Sequence, residues 1–413
     1  MACSPKAYIS NELAKAEDQF HDHIGFMLYD LKEKKSIVEY NSSKYFTPAS
    51  NTKIFTFYTS LKLLGDSLPS LKYVEKNDSL IFWGLGDPSF LYRNSFHNDR
   101  IYNFLSQSKK KLFFSSSNFS EEHFGPGWAW DDYNDDYSVE RSPLPIFGNL
   151  VSVVKKKGNW VTQPLLFMNH FSIADSVKGK TGLKRDLDSN NLTFFPNKSS
   201  KQAWQVPYNY SNDLLVELLA DTIKKQITEV NLPLPKKTKT MKSIPNDSLY
   251  STLMKVSDNF IAEQLLLACA AKVSDTLNTD IAIKYSLEHF LLDLPDDLRW
   301  VDGSGLSRYN LFTPRSVVKI WQKIHEEVPQ ERLFKLLATG GQPGTLESFY
   351  QADKPYVFGK TGSLSNNHCL SGYLITKKGK IFIFSFMNSN FVAPSHEVRA
   401  MMQRVLTHLH YNY

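Results

Sequence analysis

The texture of the chain changes twice along its length, and this limits what it can fold into. Residues 71–245 are rich in Asn, Ser, Asp and aromatics, with short alternating runs such as Leu80-Ile81-Phe82-Trp83 and few helical periods before residues 213–227. The flanks are more regular. Across residues 24–40, Gly25-Phe26-Met27-Leu28-Tyr29-Asp30, a Lys-rich turn and Ser36-Ile37-Val38-Glu39-Tyr40 read as a β-hairpin. Pro48 precedes an apolar run over 54–64 that ends at Gly65, the pattern of a helix with proline near its start and glycine just past its end. Helical periodicity returns over 249–256, 259–273 and 280–292; residues 356–360, 369–376 and 380–387 are strand-like; and 396–408 is an amphipathic helix. We therefore expect the N-terminal hairpin and the C-terminal strands to share one antiparallel sheet covered by helices. That makes an α/β (α+β) domain from residues 1–70 and 246–413, interrupted by a β-rich insertion over 71–245.

Composition narrows the function classes. A chain of 413 residues that is 42% hydrophobic can bury a substantial core, which excludes a disordered or fibrous protein. Its net charge of +6 is too diffuse for a nucleic-acid footprint, and runs such as Lys109-Lys110-Lys111 read as solvated loops. Of the three cysteines, Cys269 and Cys369 sit in apolar stretches as small hydrophobes; no disulfide framework is expected. The histidines show no His-x-x-x-His spacing and the cysteines no Cys-x-x-Cys, so a zinc enzyme is not expected. No run of about 18 apolar residues predicts a spanning helix. Met1-Ala2-Cys3-Ser4-Pro5 reads as a late start on a chain whose export segment is missing, and Cys3 at such a junction would suit a lipid anchor.

Oxygen and nitrogen chemistry remains. Ser50 and Lys53 place a hydroxyl and an amine on one face of a helical turn. Ser-x-x-Lys alone is weak, since Ser106/Lys109, Ser152/Lys155 and Ser316/Lys319 also satisfy it. Ser50 differs in following Pro48-Ala49 at the start of a strongly apolar helix, where burial would lower the lysine's pKa toward that of a general base. Ser257-Asp258-Asn259 opens another helix, where an N-cap alone would account for it. Lys360-Thr361-Gly362 closes a strand-like run. A second Lys-Thr-Gly at Lys180 precedes Ser-Asp-Asn and so breaks the order. Ser-x-x-Lys, Ser-Asp-Asn and Lys-Thr-Gly in that chain order form the signature of serine acyl-transferring penicillin-binding proteins and β-lactamases.

The chain resembles the D-alanyl-D-alanine carboxypeptidase/endopeptidase family of low-molecular-mass penicillin-binding proteins. Thr47-Pro48-Ala49-Ser50-Asn51-Thr52-Lys53 and Ser257-Asp258-Asn259-Phe260-Ile261-Ala262-Glu263 look like that family's first two motifs with their flanks. Val301-Asp302-Gly303-Ser304-Gly305-Leu306-Ser307-Arg308-Tyr309-Asn310 resembles a further stretch particular to it, and Gly84-Leu85-Gly86-Asp87-Pro88 and Gly127-Trp128-Ala129-Trp130-Asp131-Asp132 its inserted region. The separation of 207 residues from Ser50 to Ser257 suits that family's insertion rather than a compact β-lactamase. No Glu-x-x-x-Asn over 275–299 offers a deacylating glutamate.

The resemblance implies a penicillin-binding transpeptidase/β-lactamase-like fold that cleaves D-Ala-D-Ala bonds of peptidoglycan stem peptides and cross-links, takes β-lactams as covalent inhibitors and works in the periplasm or cell envelope. It implies Ser50 as nucleophile, Lys53 as base, Ser257 as proton relay and Asn259 as the group orienting the substrate amide. Lys360 and Thr361 would hold the terminal carboxylate. Backbone N–H groups of Ser50 and Ser363 would form an oxyanion hole, and Gly362 would leave room for substrate. Serine acyl transfer of this kind needs no metal or organic cofactor. Trp128, Asp132 and Arg308 would receive the stem peptide's diamino acid; Asp302 and Gly303-Ser304-Gly305 read as structural. Two stretches depart from the pattern: Gly344-Thr345-Leu346-Glu347-Ser348-Phe349 lacks an arginine soon after Gly-Thr-Leu, and Asn366-Asn367-His368-Cys369 is unusually polar. The alternatives are a β-lactamase or esterase of the same fold, and a non-catalytic cell-wall binding module.

Overall fold

The computed structural model of the protein describes residues 5–92, 96, 98–175, 181–196 and 203–413. Cys3 and Lys180 lie outside the described residues. The expected hairpin forms β1 (His23–Asp30) and β2 (Lys35–Tyr40), and four later strands join it: β3 (Ala338–Thr339), β4 (Val357–Leu364), β5 (Asn367–Ile375) and β6 (Ile381–Ser389). The sheet runs β3-β4-β5-β6-β1-β2, each neighbouring pair antiparallel, with Phe26 opposite Phe386 and Leu28 opposite Phe384.

Successive strand residues point to opposite faces, and β6 uses both. Phe384 and Phe386 pack with Leu13 and with Val398, Met402 and Leu406, under α1 (Pro5–Phe20) and the C-terminal α5 (Ser395–Asn412). Ile383, with Tyr373 of β5, faces α2 (Lys53–Leu63), α3 (Asn259–Ser274) and α4 (Pro314–Glu327) through Ile54, Phe55, Leu265 and Trp321. Residues 260–271 of α3 are all buried, which is why no polar stripe marks that helix in the sequence. Helices α1 and α4 were not anticipated. For α4 the signals were present: Thr313 caps Ser316 N–H, Pro314 occupies the first turn, and Val317, Ile320, Trp321 and Ile324 form one apolar stripe.

The middle of the chain folds around its own core, including Leu71, Phe82, Phe114, Ile146, Val151 and Leu218. Among the described residues it holds one five-stranded and two three-stranded sheets, with helices Arg100–Gln107 and Asn212–Ile223. The chain leaves through strand Ser67–Lys76 and returns through Lys239–Pro245, which pair antiparallel from Lys239 opposite Tyr73 to Pro245 opposite Ser67. Exit and re-entry thus lie side by side, so the long excursion leaves the first sheet undisturbed.

Candidate active site

The helix expected after Pro48 begins as a tight 3-10 turn, Ala49–Thr52, before continuing as α2. Three residues per turn places positions i and i+3 directly above one another, and Lys53 Nζ donates to Ser50 Oγ at 2.8 Å. The same amine donates to Asn259 Oδ1 and to Ser304 O, both at 2.6 Å. Burial of the amine drives its pKa down to about 8, against the opposing pull of Asp302, Glu263 and Asp258. Ala49 takes a left-handed φ of 48°, and Gly305 is what allows it: a Cβ there would stand 1.9 Å from Ala49 O.

Asp258, rather than Ser257, supplies the N-cap of α3 by accepting from Ile261 N–H at 2.9 Å. Its neighbours are left free to face the cleft. Ser257 holds a left-handed φ of 70°, a conformation a serine keeps only when its surroundings impose it. Its Oγ accepts from Lys360 Nζ at 2.7 Å, and Asn259 Nδ2 donates to Tyr137 O at 3.0 Å.

Lys360 departs from its expected place. Its amine is fully buried, bonded to Ser257 Oγ and to Thr361 O at 2.7 Å, and does not open into the cleft as a carboxylate clamp. Burial, then the nearby charge of Lys53, holds its pKa well below the ordinary lysine value. Gly362 is also required for a different reason from the expected one. A Cβ there would meet Pro48 O at 2.7 Å and Ser50 N at 2.9 Å, so glycine lets the strand and the Ser50 turn touch.

Several residues that hold this geometry escaped the sequence reading. Asn51 Nδ2 donates to Lys360 O at 3.1 Å and Asn51 Oδ1 accepts from Ser371 Oγ at 2.6 Å, tying the Ser50 turn to β4 and β5. Glu263 Oε1 accepts from Ser304 N–H at 2.7 Å, aiming the Ser304 carbonyl at Lys53. Arg141, from the middle region, grips Glu263 Oε2 through Nη2 at 2.7 Å and Nε at 3.0 Å, both side chains fully buried. A glutamate inside an otherwise apolar helix was the available signal; its partner, 122 residues away, was not.

A cleft of about 610 Å³ runs over this cluster, lined by Ser50, Ser257, Asn259 and Ser363 and walled by Asp131, Asp132, Tyr137 and Arg308. Burial raises the Asp132 pKa. Trp128 does not line the cleft: its Nε1 donates to Asp302 Oδ2 at 2.9 Å and its ring lies 5.2 Å from the Arg141 guanidinium. Asp302 also accepts from Gly305 N–H, Ser307 N–H and Asn310 Nδ2, holding the turn that positions Arg308.

The family model of the D-Ala-D-Ala carboxypeptidase 3 (S13) family matches residues 6–409. The chain belongs to that family. As a serine-type D-Ala-D-Ala carboxypeptidase it is 23% identical over 420 residues to D-alanyl-D-alanine carboxypeptidase DacB of Haemophilus influenzae, covering 89% of this chain and 85% of that protein. Its fold matches the crystal structure of penicillin binding protein 4 (dacB) of H. influenzae with a TM-score of 0.74, at 20% identity, over 96% of this chain and 98% of that one. A predatory peptidoglycan endopeptidase of Bdellovibrio bacteriovorus, Bd3459, matches with a TM-score of 0.55 at 13% identity, over 94% and 92% of the two chains. The H. influenzae protein has also been solved with a β-lactam, at a TM-score of 0.69, 17% identity and coverage of 94% and 95%.

Proposed function

We propose that this carboxypeptidase cleaves the D-Ala-D-Ala bond through an acyl-enzyme on Ser50. The observation that carries the reading is the contact of Ser50 Oγ with a buried lysine amine of lowered pKa, at 2.8 Å. Neutral Lys53 takes the hydroxyl proton as Ser50 Oγ bonds to the carbonyl carbon. The oxyanion so formed would accept from the N–H groups of Ser50 and Ser363, on the two segments that Gly362 brings into contact. Collapse breaks the C–N bond, and the proton reaches the departing amine through Ser257, whose hydroxyl Lys360 Nζ holds at 2.7 Å. Asn259, anchored by the Tyr137 carbonyl, orients the substrate amide. Water then hydrolyses the ester.

A cleft walled by Asp132 and Arg308 offers opposite charges to an amino acid side chain bearing both an amine and a carboxylate. That suits the diamino acid of a stem peptide, and with it cross-link endopeptidase activity in the cell envelope. A β-lactam ring carbonyl would be attacked in the same way and leave a covalent adduct. Ser50→Ala should abolish labelling by fluorescent penicillin, and intact-mass and peptide mapping of the wild type should place one adduct on Ser50; labelling retained in the variant refutes the assignment.

A further inference from the structure

Ser363 lines the cleft and also a second cavity of about 220 Å³, on the side of the sheet that α5 covers, together with Thr345, Thr361, His368 and Arg399. At about 30 Å³ per water this is room for some seven waters, or for a small carboxylate-bearing group. Arg399, in the first turns of α5, reaches Ser363 Oγ with Nη2 at 3.4 Å. Its Nε is buried without a partner, and among the described residues no carboxylate forms an ion pair with it. The Thr345 hydroxyl, on the same cavity, is also buried and unpartnered. Buried donors without acceptors are uncommon and call for an explanation. His368 Nδ1 lies 2.8 Å from Ser363 Oγ, fixing that hydroxyl between imidazole and guanidinium. Burial, then Arg399 and Lys360, lowers the His368 pKa to about 3, so the ring adds no competing charge.

We propose that Arg399 recognises the C-terminal carboxylate of the leaving D-amino acid, with the Ser363 and Thr345 hydroxyls beside it, and so determines the preference for substrates ending in a free acid. A planar guanidinium with donors to spare matches a carboxylate better than the enclosed Lys360 amine. Both departures noted in the sequence then have a use. Thr345 of the first stretch lines the cavity that Arg399 enters, and polar His368 of the second holds Ser363 toward it. The proposal rests on Ser50 being acylated in the cleft that meets this cavity at Ser363.

The test compares kcat/KM for an acyl-D-Ala-D-Ala peptide with that for its C-terminal amide, in wild type, Arg399→Gln and Arg399→Lys. The acid-to-amide ratio should fall about tenfold or more in Arg399→Gln, and less in Arg399→Lys, which keeps the charge and loses the fork. A ratio unchanged in Arg399→Gln overturns the proposal; should that variant unfold, an unchanged ratio in Arg399→Lys does so. Penicillin adduct mapping of the wild type runs alongside. Wild type without an adduct on Ser50 defeats the underlying mechanism and the proposal with it, whereas a labelled wild type with unchanged ratios defeats the role of Arg399 alone.

Discussion

Replacing Gly362 with alanine tests whether contact between strand and nucleophile turn, rather than open space for substrate, is what the glycine provides. The added methyl would stand 2.7 Å from Pro48 O, 2.9 Å from Ser50 N and 3.0 Å from Asn51 N. All three atoms are backbone, so no side chain can rotate away. Restoring an ordinary contact of 3.4 Å to Pro48 O means parting the two segments by the shortfall from 2.7 Å. Since a misplacement of about 1 Å in a reacting geometry costs about a hundredfold, acylation should slow by about 10- to 100-fold. That corresponds to about 1.4–2.7 kcal/mol of transition-state stabilisation. The assay is the second-order rate of penicillin acylation, measured with a small and a bulky acyl donor, beside D-alanine release from a peptide. Parting the oxyanion donors slows every donor by a similar factor, whereas blocked access would spare the small one. Acylation of Gly362→Ala at the wild-type rate, or a loss confined to the bulky donor, refutes the reasoning.

Two further predictions concern charge. Because Lys53 must be neutral to accept a proton, and burial sets its pKa at about 8, acylation should rise with pH between 6 and 8 and level off above that. A rate flat from pH 6 upward, measured by stopped-flow with a chromogenic cephalosporin, would exclude Lys53 as the titrating base. Arg141→Met leaves Glu263 buried without its partner, so urea unfolding should show a loss of about 3–5 kcal/mol, with slower acylation as Ser304 loses its alignment.

The hairpin, α2, α3 and the C-terminal strands were legible because each carries a local signal: alternation in the hairpin, a Pro/Gly boundary at α2, and near-continuous apolar runs of helix or strand length in α3 and the last strands. Chain order of the three motifs singled out residues that the fold brings into two hydrogen-bonded groups beside one cleft, Ser50 to Lys53 to Asn259 and Ser257 to Lys360. What the sequence could not tell was where side chains end up once distant segments meet. Lys360 and Arg399 are both basic side chains at one strand, yet one is enclosed by Ser257 and Thr361 while the other faces a cavity with donors unused. Trp128 has the composition of a pocket residue and serves instead to brace Asp302. Such distinctions depend on long-range packing, which no local window contains.

The order in which the sheet is assembled has a consequence for when activity can first arise. The turn bearing Ser50 is made early, but it is fastened to β4 across 309 residues, and β1, paired locally with β2, meets its second neighbour only in β6. Contacts of such separation form late in folding. A nascent chain that has exposed Ser50 therefore has neither a second oxyanion donor nor a buried environment to lower the Lys53 pKa. The serine is an ordinary unreactive hydroxyl through most of synthesis, and the topology itself delays hydrolytic competence until almost the last strand is in place.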